Sequence, residues 1–193
     1  MSITQFKLGQ AIPLTDSLTI ELIKARDLSE IITMLDDPEV AEYLFFAPSP
    51  VEVYQGFFNP IIANTAEAIS KGQWPENITV VIRDLNGQYM GMAGLPAVMF
   101  MLGNFEVGYQ LPVHAWGQGI ATAACQFLTH LAFSELDAHK VTADCHISNT
   151  GSYKTMQKCG FVHEGRQKDY YKLANGFDDR VHYGITKAQF QAL

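Results

Sequence analysis

"WGQGIATAAC", Trp116 to Cys125, is where this chain thins its side chains: Gly117, Gly119, Ala121, Ala123 and Ala124 fill half of the stretch. A strand-forming run, "NFEVGYQLPV" (Asn104–Val113), precedes it. Apolar residues at helical spacing, Ile120, Ala124, Phe127, Leu128 and Leu131, follow or overlap it. The stretch therefore marks the point where a strand becomes a helix. A helix start leaves backbone N–H groups without partners and carries partial positive charge. Small side chains there let a phosphate reach the backbone. They equally let a helix pack closely on a sheet, and these ten residues alone do not separate the two uses. The stretch is no dinucleotide fingerprint, because Thr122 stands at the third small position and no acidic residue follows at the distance needed for a ribose. No Gly-Lys-Ser/Thr of a Walker loop is present either.

Working outward, the chain changes period several times. Ser17–Ala25 reads as a strand, followed by helical spacing at Leu28, Ile31, Ile32 and Leu35. The Asp37-Pro38 step breaks that pattern into two short helices. "SPVEVYQGFFNPIIANTAEAISKG" predicts a helix interrupted at Pro60. "NITVVIRDL" and "QYMGMAGLPAVMF" flank Asn86-Gly87 as a hairpin, and "NFEVGYQL" reads as the third strand of a meander. A helix of roughly 18 residues then leads to the strand "HKVTADCHI", a short helix ending at Gly160, and two strands joined around Asn175-Gly176. This order predicts one α+β domain over residues 1–193, with the strand–helix–strand in the middle joining parallel strands.

The bulk composition narrows the function. A chain of 193 residues with 48% hydrophobic and only 17% charged residues buries a full core and is not disordered. Its net charge of -7 argues against nucleic acid as a partner and is compatible with a basic one, such as an amine. Cys125, Cys145 and Cys159 are odd in number and form no CxxC pair, which fits free thiols in a reducing compartment. The first residues hold no signal-peptide core, and the longest apolar run, Leu95–Leu102, is too short to span a bilayer. A cytoplasmic protein with no membrane partner is the expectation. His114, His139, His146 and His163 lack metal-ligand spacing, so no metal is expected. Cys145 and His146 are strand neighbours facing opposite sides, which argues against a nucleophile–base pair.

From Phe105 to about Gly184, the run "FEVGYQLPVHAWGQGIATAA…HLAF…HKVTADCHISNTGSYKTMQKCGFVHEGR" resembles the GNAT superfamily of acetyl-CoA-dependent N-acetyltransferases. Within it the chain is similar to the ribosomal-protein N-terminal acetyltransferase-like subgroup. The resemblance implies the GNAT fold: a mixed, mostly antiparallel twisted sheet with a central parallel strand pair and helices on both faces. It implies acceptor-side helices over about 26–72 and an acetyl-CoA-binding core over about 78–188. Trp116-Gly117-Gln118-Gly119-Ile120-Ala121, with Thr122 behind it, matches the loop that wraps the pyrophosphate of coenzyme A. Asn149 matches the residue that contacts the pantetheine arm, and Ser152 the Ser of the subgroup's "N-x-x-S". A Glu that often follows the loop is replaced by Ala123.

The implied reaction is direct attack of a primary amine, on a protein N-terminus or a small molecule, on the acetyl thioester, without an acyl-enzyme. Glu106 is the first candidate for general base and Asp169 the second; the subgroup's later acidic position is Tyr171 here. Ser152 is the candidate donor to the departing thiolate, although a Ser opening a helix is also an ordinary cap. The oxyanion donor is expected among the backbone N–H groups near Gln110 and Leu111, where the third meander strand parts from its parallel neighbour. Tyr43, Phe45, Phe46, Phe57 and Phe58 either line the acceptor pocket or fill the core. Lys154, Lys158, Arg166 and Lys168 are a solvated basic face, part of which could meet the ribose phosphate. The resemblance also admits a homodimer. A rival of another class is a protein of the same fold that holds acetyl-CoA as a sensor without turnover; a third is a structural protein whose small residues serve packing alone.

Overall fold

The computed structural model describes residues 3–173 and 175–192. The chain opens with α1 (Ile3–Lys7), β1 (Ile12–Pro13) and β2 (Leu18–Leu22), then runs through α2 (Leu28–Leu35), α3 (Pro38–Ala41) and α4 (Val51–Ser70). The meander is β3 (Asn77–Asp84), β4 (Tyr89–Pro96), β5 (Asn104–Glu106) and β6 (Gly108–Gln110). After it come α5 (Ile120–Glu135), β7 (Lys140–His146), α6 (Thr150–Lys158), β8 (Val162–Leu173), β9 (Gly176–Thr186) and α7 (Lys187–Phe190). The strands form two ladders, β1-β2-β3-β4-β6 and β5-β7-β9-β8. Every pairing is antiparallel except β5 with β7, the central parallel pair.

Helices cover both faces of the first ladder, and strand alternation decides which residue meets which layer. Ile78, Val80 and Ile82 of β3 join Ile120, Ala124, Leu128 and Leu131 of α5 in the larger core. Val81, between them in sequence, points the other way to Ile31 and Leu35 of α2 and Tyr54 and Phe58 of α4. Leu128, Ile82 and Leu35 are fully buried, each side chain contributing about 1.5–3 kcal/mol. In the second ladder, Val141, Ala143 and Cys145 of β7 face the same core as α5. Thr142, Asp144 and His146 alternate onto the outer face.

Two sequence expectations are corrected. The helix over the Pro60 region is continuous for 20 residues, with Pro60 inside it. Tyr54, Phe58, Thr65 and Ala68 are buried on both sides of that proline, and their packing carries the helix past the single lost hydrogen bond. The third meander strand is divided at Val107. Before it, Glu106 pairs with Thr142 of β7; after it, Gly108 pairs with Gly94 of β4. The Val107 N–H makes the last bond across to β7, to the Thr142 carbonyl at 2.8 Å. The chain thus leaves its parallel neighbour at Val107, earlier than the expected parting near Gln110 and Leu111, because β6 follows β4 while β7 stays with β9.

Candidate active site

The parting of β6 from β7 opens a gap in the middle of the molecule. On one side of it lies the bare stretch. Gly117 and Gly119 have φ of 73° and 77°, a region that favours glycine. A Cβ on either would meet nothing within 4 Å. Tight helix–sheet packing therefore does not explain these two glycines; they set a left-handed backbone and leave the space in front of it clear. Gly119 occupies the cap of α5 and supplies no side-chain acceptor, and no acidic residue follows in the first turn. The first N–H groups of the helix are left for another partner. The loop is pinned from within: the Trp116 indole N–H donates to the Leu111 carbonyl at 2.8 Å, and the Gln118 amide donates to the His114 carbonyl at 2.8 Å. Trp116 thereby acts on the strand end, while Ile120 is buried in the core beneath the loop.

α6 borders the same side. Asn149 caps it, its Oδ1 accepting from the Ser152 N–H at 3.1 Å. Tyr109 of β6 reaches across and donates its hydroxyl to the Ser152 carbonyl at 3.0 Å, with the Ser152 hydroxyl 3.4 Å away. Burial pushes the Tyr109 phenol well up from its ordinary value, so it stays protonated and remains a donor. Ser152, Asn149 and the strand before Gln110 are therefore brought together. Tyr109 itself went unnoticed in the sequence; its signal was a tyrosine on the core-facing register of a strand, where a phenol needs a partner.

Glu106 lies on the opposite, outer face. It lines a cavity of about 250 Å³ with Asn104, Thr142, Asp144, Arg180 and His182 among its walls. Burial and the nearby Asp144 charge raise the Glu106 carboxyl, with Arg180 opposing them in part. The side chain is reached by solvent through the cavity mouth even though protein surrounds it. Arg180 donates through Nη2 to Asp144, while its Nε and the Asn104 Oδ1 are sealed from solvent with no partner among the described residues. Such orphaned polar atoms are costly and mark a place for a polar guest. A wider groove of about 750 Å³ between α2 and Pro112–His114 shares none of these walls.

The remaining site expectations separate. Asp169 sits at φ 51° in a bulge of β8, exposed and outside the cavity walls, with its own N–H donating to Asp179. Phe58 is core, Phe45 and Phe57 are exposed, and Tyr43 packs 5.4 Å from the His146 ring. Arg166 pairs with Asp179. Burial raises the Cys145 thiol to about 11, which leaves it a poor nucleophile at neutral pH. His146, set aside in the sequence, stands in a dense polar cluster: Nδ1 meets Asp178 Oδ2 at 3.1 Å, and the ring stacks on Tyr171 at 3.6 Å.

A family model described as Acetyltransferase (GNAT) domain matches residues 17–162. The chain belongs to the GNAT acetyltransferases. These enzymes transfer acetyl from acetyl-CoA to an amine, and the chain is placed among them over most of its length. It is 26% identical over 187 residues to the putative ribosomal N-acetyltransferase YdaF of Bacillus subtilis, covering 91% of this chain and 94% of that one. A spermidine N-acetyltransferase from Vibrio cholerae, solved with CoA and spermine, superposes with a TM-score of 0.78 at 17% identity, covering 92% and 99% of the two chains. The ribosomal-protein-S5-alanine acetyltransferase of Vibrio fischeri gives 0.75 at 19%, covering 92% and 96%. At such identities the two solved structures establish the fold alone. The GNAT fold expected from the sequence is the one observed.

Proposed function

We propose that the open backbone at Gly117–Ala121 holds the pyrophosphate of acetyl-CoA, and that the pantetheine arm enters the gap between β6 and β7 beside Asn149. The acetyl end then reaches the outer face, where a primary amine arrives past the Glu106 cavity. The acceptor is a protein N-terminus or a small amine, and the 26–72 segment approaches the outer face at Tyr43, beside His146. The observation that carries this is the single gap flanked by an uncapped helix start on one face and a polar cavity on the other.

The chemistry asked of the chain is modest. Holding both reactants together supplies much of the rate. Backbone N–H groups near Gln110 and Leu111 stabilise the oxyanion. Glu106 draws the ammonium toward the gap and accepts its proton through water; a raised carboxyl suits that task. Ser152, with the Tyr109 hydroxyl beside it, donates toward the departing sulfur. Thr122 and Ile120 complete the first turn under the phosphates.

Calorimetric titration with acetyl-CoA on the wild type and on Gly119→Trp tests the cofactor half. Binding that disappears in the variant supports the cradle, since the indole would occupy the open space. No binding to either folded protein overturns it. Coenzyme A release with an alanine-initiated peptide, spermidine and a simple monoamine tests the acceptor half. Silence with all of them, despite acetyl-CoA binding, would favour a sensor without turnover.

A further inference from the structure

We infer that His146, held by Asp178, takes the acceptor's proton at the reacting centre, so that Glu106 is not the only base. This rests on the acetyl-transfer function proposed above. Three observations carry it.

The first is register. Glu106 is paired with Thr142 just before the strands part. Four residues further along each strand stand Gln110 and His146, about level with one another and about 13 Å beyond Glu106. Gln110 is where the oxyanion donor is expected. His146 is thus the titratable β7 side chain beside the thioester, on the amine's face of the sheet, while Glu106 lies near the foot of the gap. The second is orientation of the ring. Asp178 Oδ2 engages Nδ1 at 3.1 Å. Asp178 is itself fixed by the Ser148 hydroxyl and by the Asp179 N–H at 2.9 Å. A carboxylate on Nδ1 keeps the proton there and leaves the Nε2 lone pair free. Among the described residues Nε2 has no partner, and it is not one of the unpartnered atoms sealed from solvent. The third is confinement. Tyr171 stacks on the ring at 3.6 Å and 12°, and Tyr43 packs beside it, so the imidazole cannot swing away.

The ionisable groups around the ring are Asp178 from β9, Tyr171 from β8 and Tyr43 from the segment after α3. Asp144 lies two residues back on the same strand and is paired with Arg180. Burial works to raise the Asp178 carboxyl, but the hydrogen bonds from Ser148, Asp179 and His146 hold it below its ordinary value. It remains an anion beside the ring at neutral pH.

The step balances as follows. The acceptor ammonium gives one proton to Nε2, and the freed nitrogen pair bonds to the thioester carbonyl carbon. As the adduct collapses, the C–S bond breaks and its electron pair leaves on sulfur. The second amine proton ends on that sulfur, giving the amide and coenzyme A. The imidazolium returns its proton to solvent.

The test is kcat/KM against pH for wild type, His146→Gln and Asp178→Asn, using whichever of the three amines named above turns over best. Gln keeps a donor toward Asp178 but cannot take a proton. His146→Gln should lose about 100-fold or more at neutral pH and lose the acid limb of the profile. Its acetyl-CoA affinity should stay close to wild type. Asp178→Asn, which removes the carboxylate that holds the proton on Nδ1, should lower kcat/KM at neutral pH. Nitrogen NMR of the wild type should show the neutral ring protonated on Nδ1. A His146→Gln enzyme within twofold of wild type with its acid limb intact overturns the proposal and leaves Glu106 as sole base, as does a neutral ring protonated on Nε2. A wild type that acetylates no amine overturns the transferase function and the base with it.

Discussion

Replacing Gly91 with Ala tests whether the strand end at Gln110 and Leu111 is set by backbone packed behind it. Gly91 lies in β4 at φ 134°, next to the register shift in the β3–β4 pairing. A Cβ there would stand 2.3 Å from Leu111 Cδ2, 2.7 Å from the Gln110 carbonyl oxygen and 3.1 Å from Leu111 Cα. Two costs combine. An L side chain in that backbone region costs about 1–3 kcal/mol. Overpacking against backbone that cannot rotate away costs about 1–3 kcal/mol more. The centre of these ranges is about 4 kcal/mol, or about 12 °C in Tm for a domain of this size. The strain is relieved mainly by pushing Gln110 and Leu111 outward against the Trp116 clamp. A displacement approaching 1 Å at the oxyanion donors costs on the order of 100-fold in kcat. Acetyl-CoA affinity should fall far less, since the phosphate loop is not touched. Gly87→Ala is the control: its φ is 84° but a Cβ there meets nothing within 4 Å. It carries the conformational cost without the clash and should leave kcat unchanged. Differential scanning calorimetry and coenzyme A release on the two variants decide the matter. If Gly91→Ala matches Gly87→Ala in both Tm and kcat, the close approach does not hold the strand end and the reasoning fails.

Arg83→Leu should lower Tm by roughly 6–12 °C with acetyl-CoA affinity unchanged, because Asp27, fully buried, loses its 2.8 Å partner and breaking such a pair costs about 3 kcal/mol or more; a Tm within 2 °C of wild type would refute it. Glu106→Gln should trade activity for stability. A carboxyl raised in the fold favours the native state only below its unfolded value of about 4.3 and penalises it increasingly as pH rises through the folded value. The variant's Tm should therefore exceed wild type at pH 7 to 8 and converge with it near pH 4, while kcat/KM falls; a constant Tm difference across that range would contradict the assignment. Phe100→Gly should raise Tm by roughly 2–4 °C, since Phe100 sits at φ 64° with 94% of its surface exposed and a left-handed side chain there costs about 1 kcal/mol. A fall in Tm would mean the ring packs against something in solution.

Much of the molecule was legible in the sequence because its signals are local. Asn86-Gly87, Asp37-Pro38, Asn149 and Gly160 each act within a few residues, and each marks the boundary it predicted. The parts that were not legible depend on distant partners. Pro60 looks like a stop until Tyr54 and Phe58 are seen buried on one side and Thr65 and Ala68 on the other. His146 looks like an isolated strand histidine until Tyr43, Tyr171 and Asp178, from three other segments, close around it. No spacing in the chain announces that cluster.

Val107 shows why the two kinds of failure meet at the site. "NFEVGYQL" alternates well enough to read as one strand, and nothing in its side chains changes at Val107. What changes is the second neighbour: Asn104–Glu106 pairs with β7 while Phe105 also bridges Ala97 just past β4, and Gly108–Gln110 keeps β4 alone. A strand that kept β7 as its partner would satisfy every backbone group and close the sheet. By leaving at Val107 it gives up that pairing over the length of β6, and the groups so released on β6 and β7 line the gap. The Tyr109–Ser152 bond and the Trp116–Leu111 clamp then hold the gap open from the helix side. In the function proposed above, the pairing lost at Val107 is where an acetylated arm passes through the sheet, and that loss sets the thioester between a bare helix start and a polar cavity.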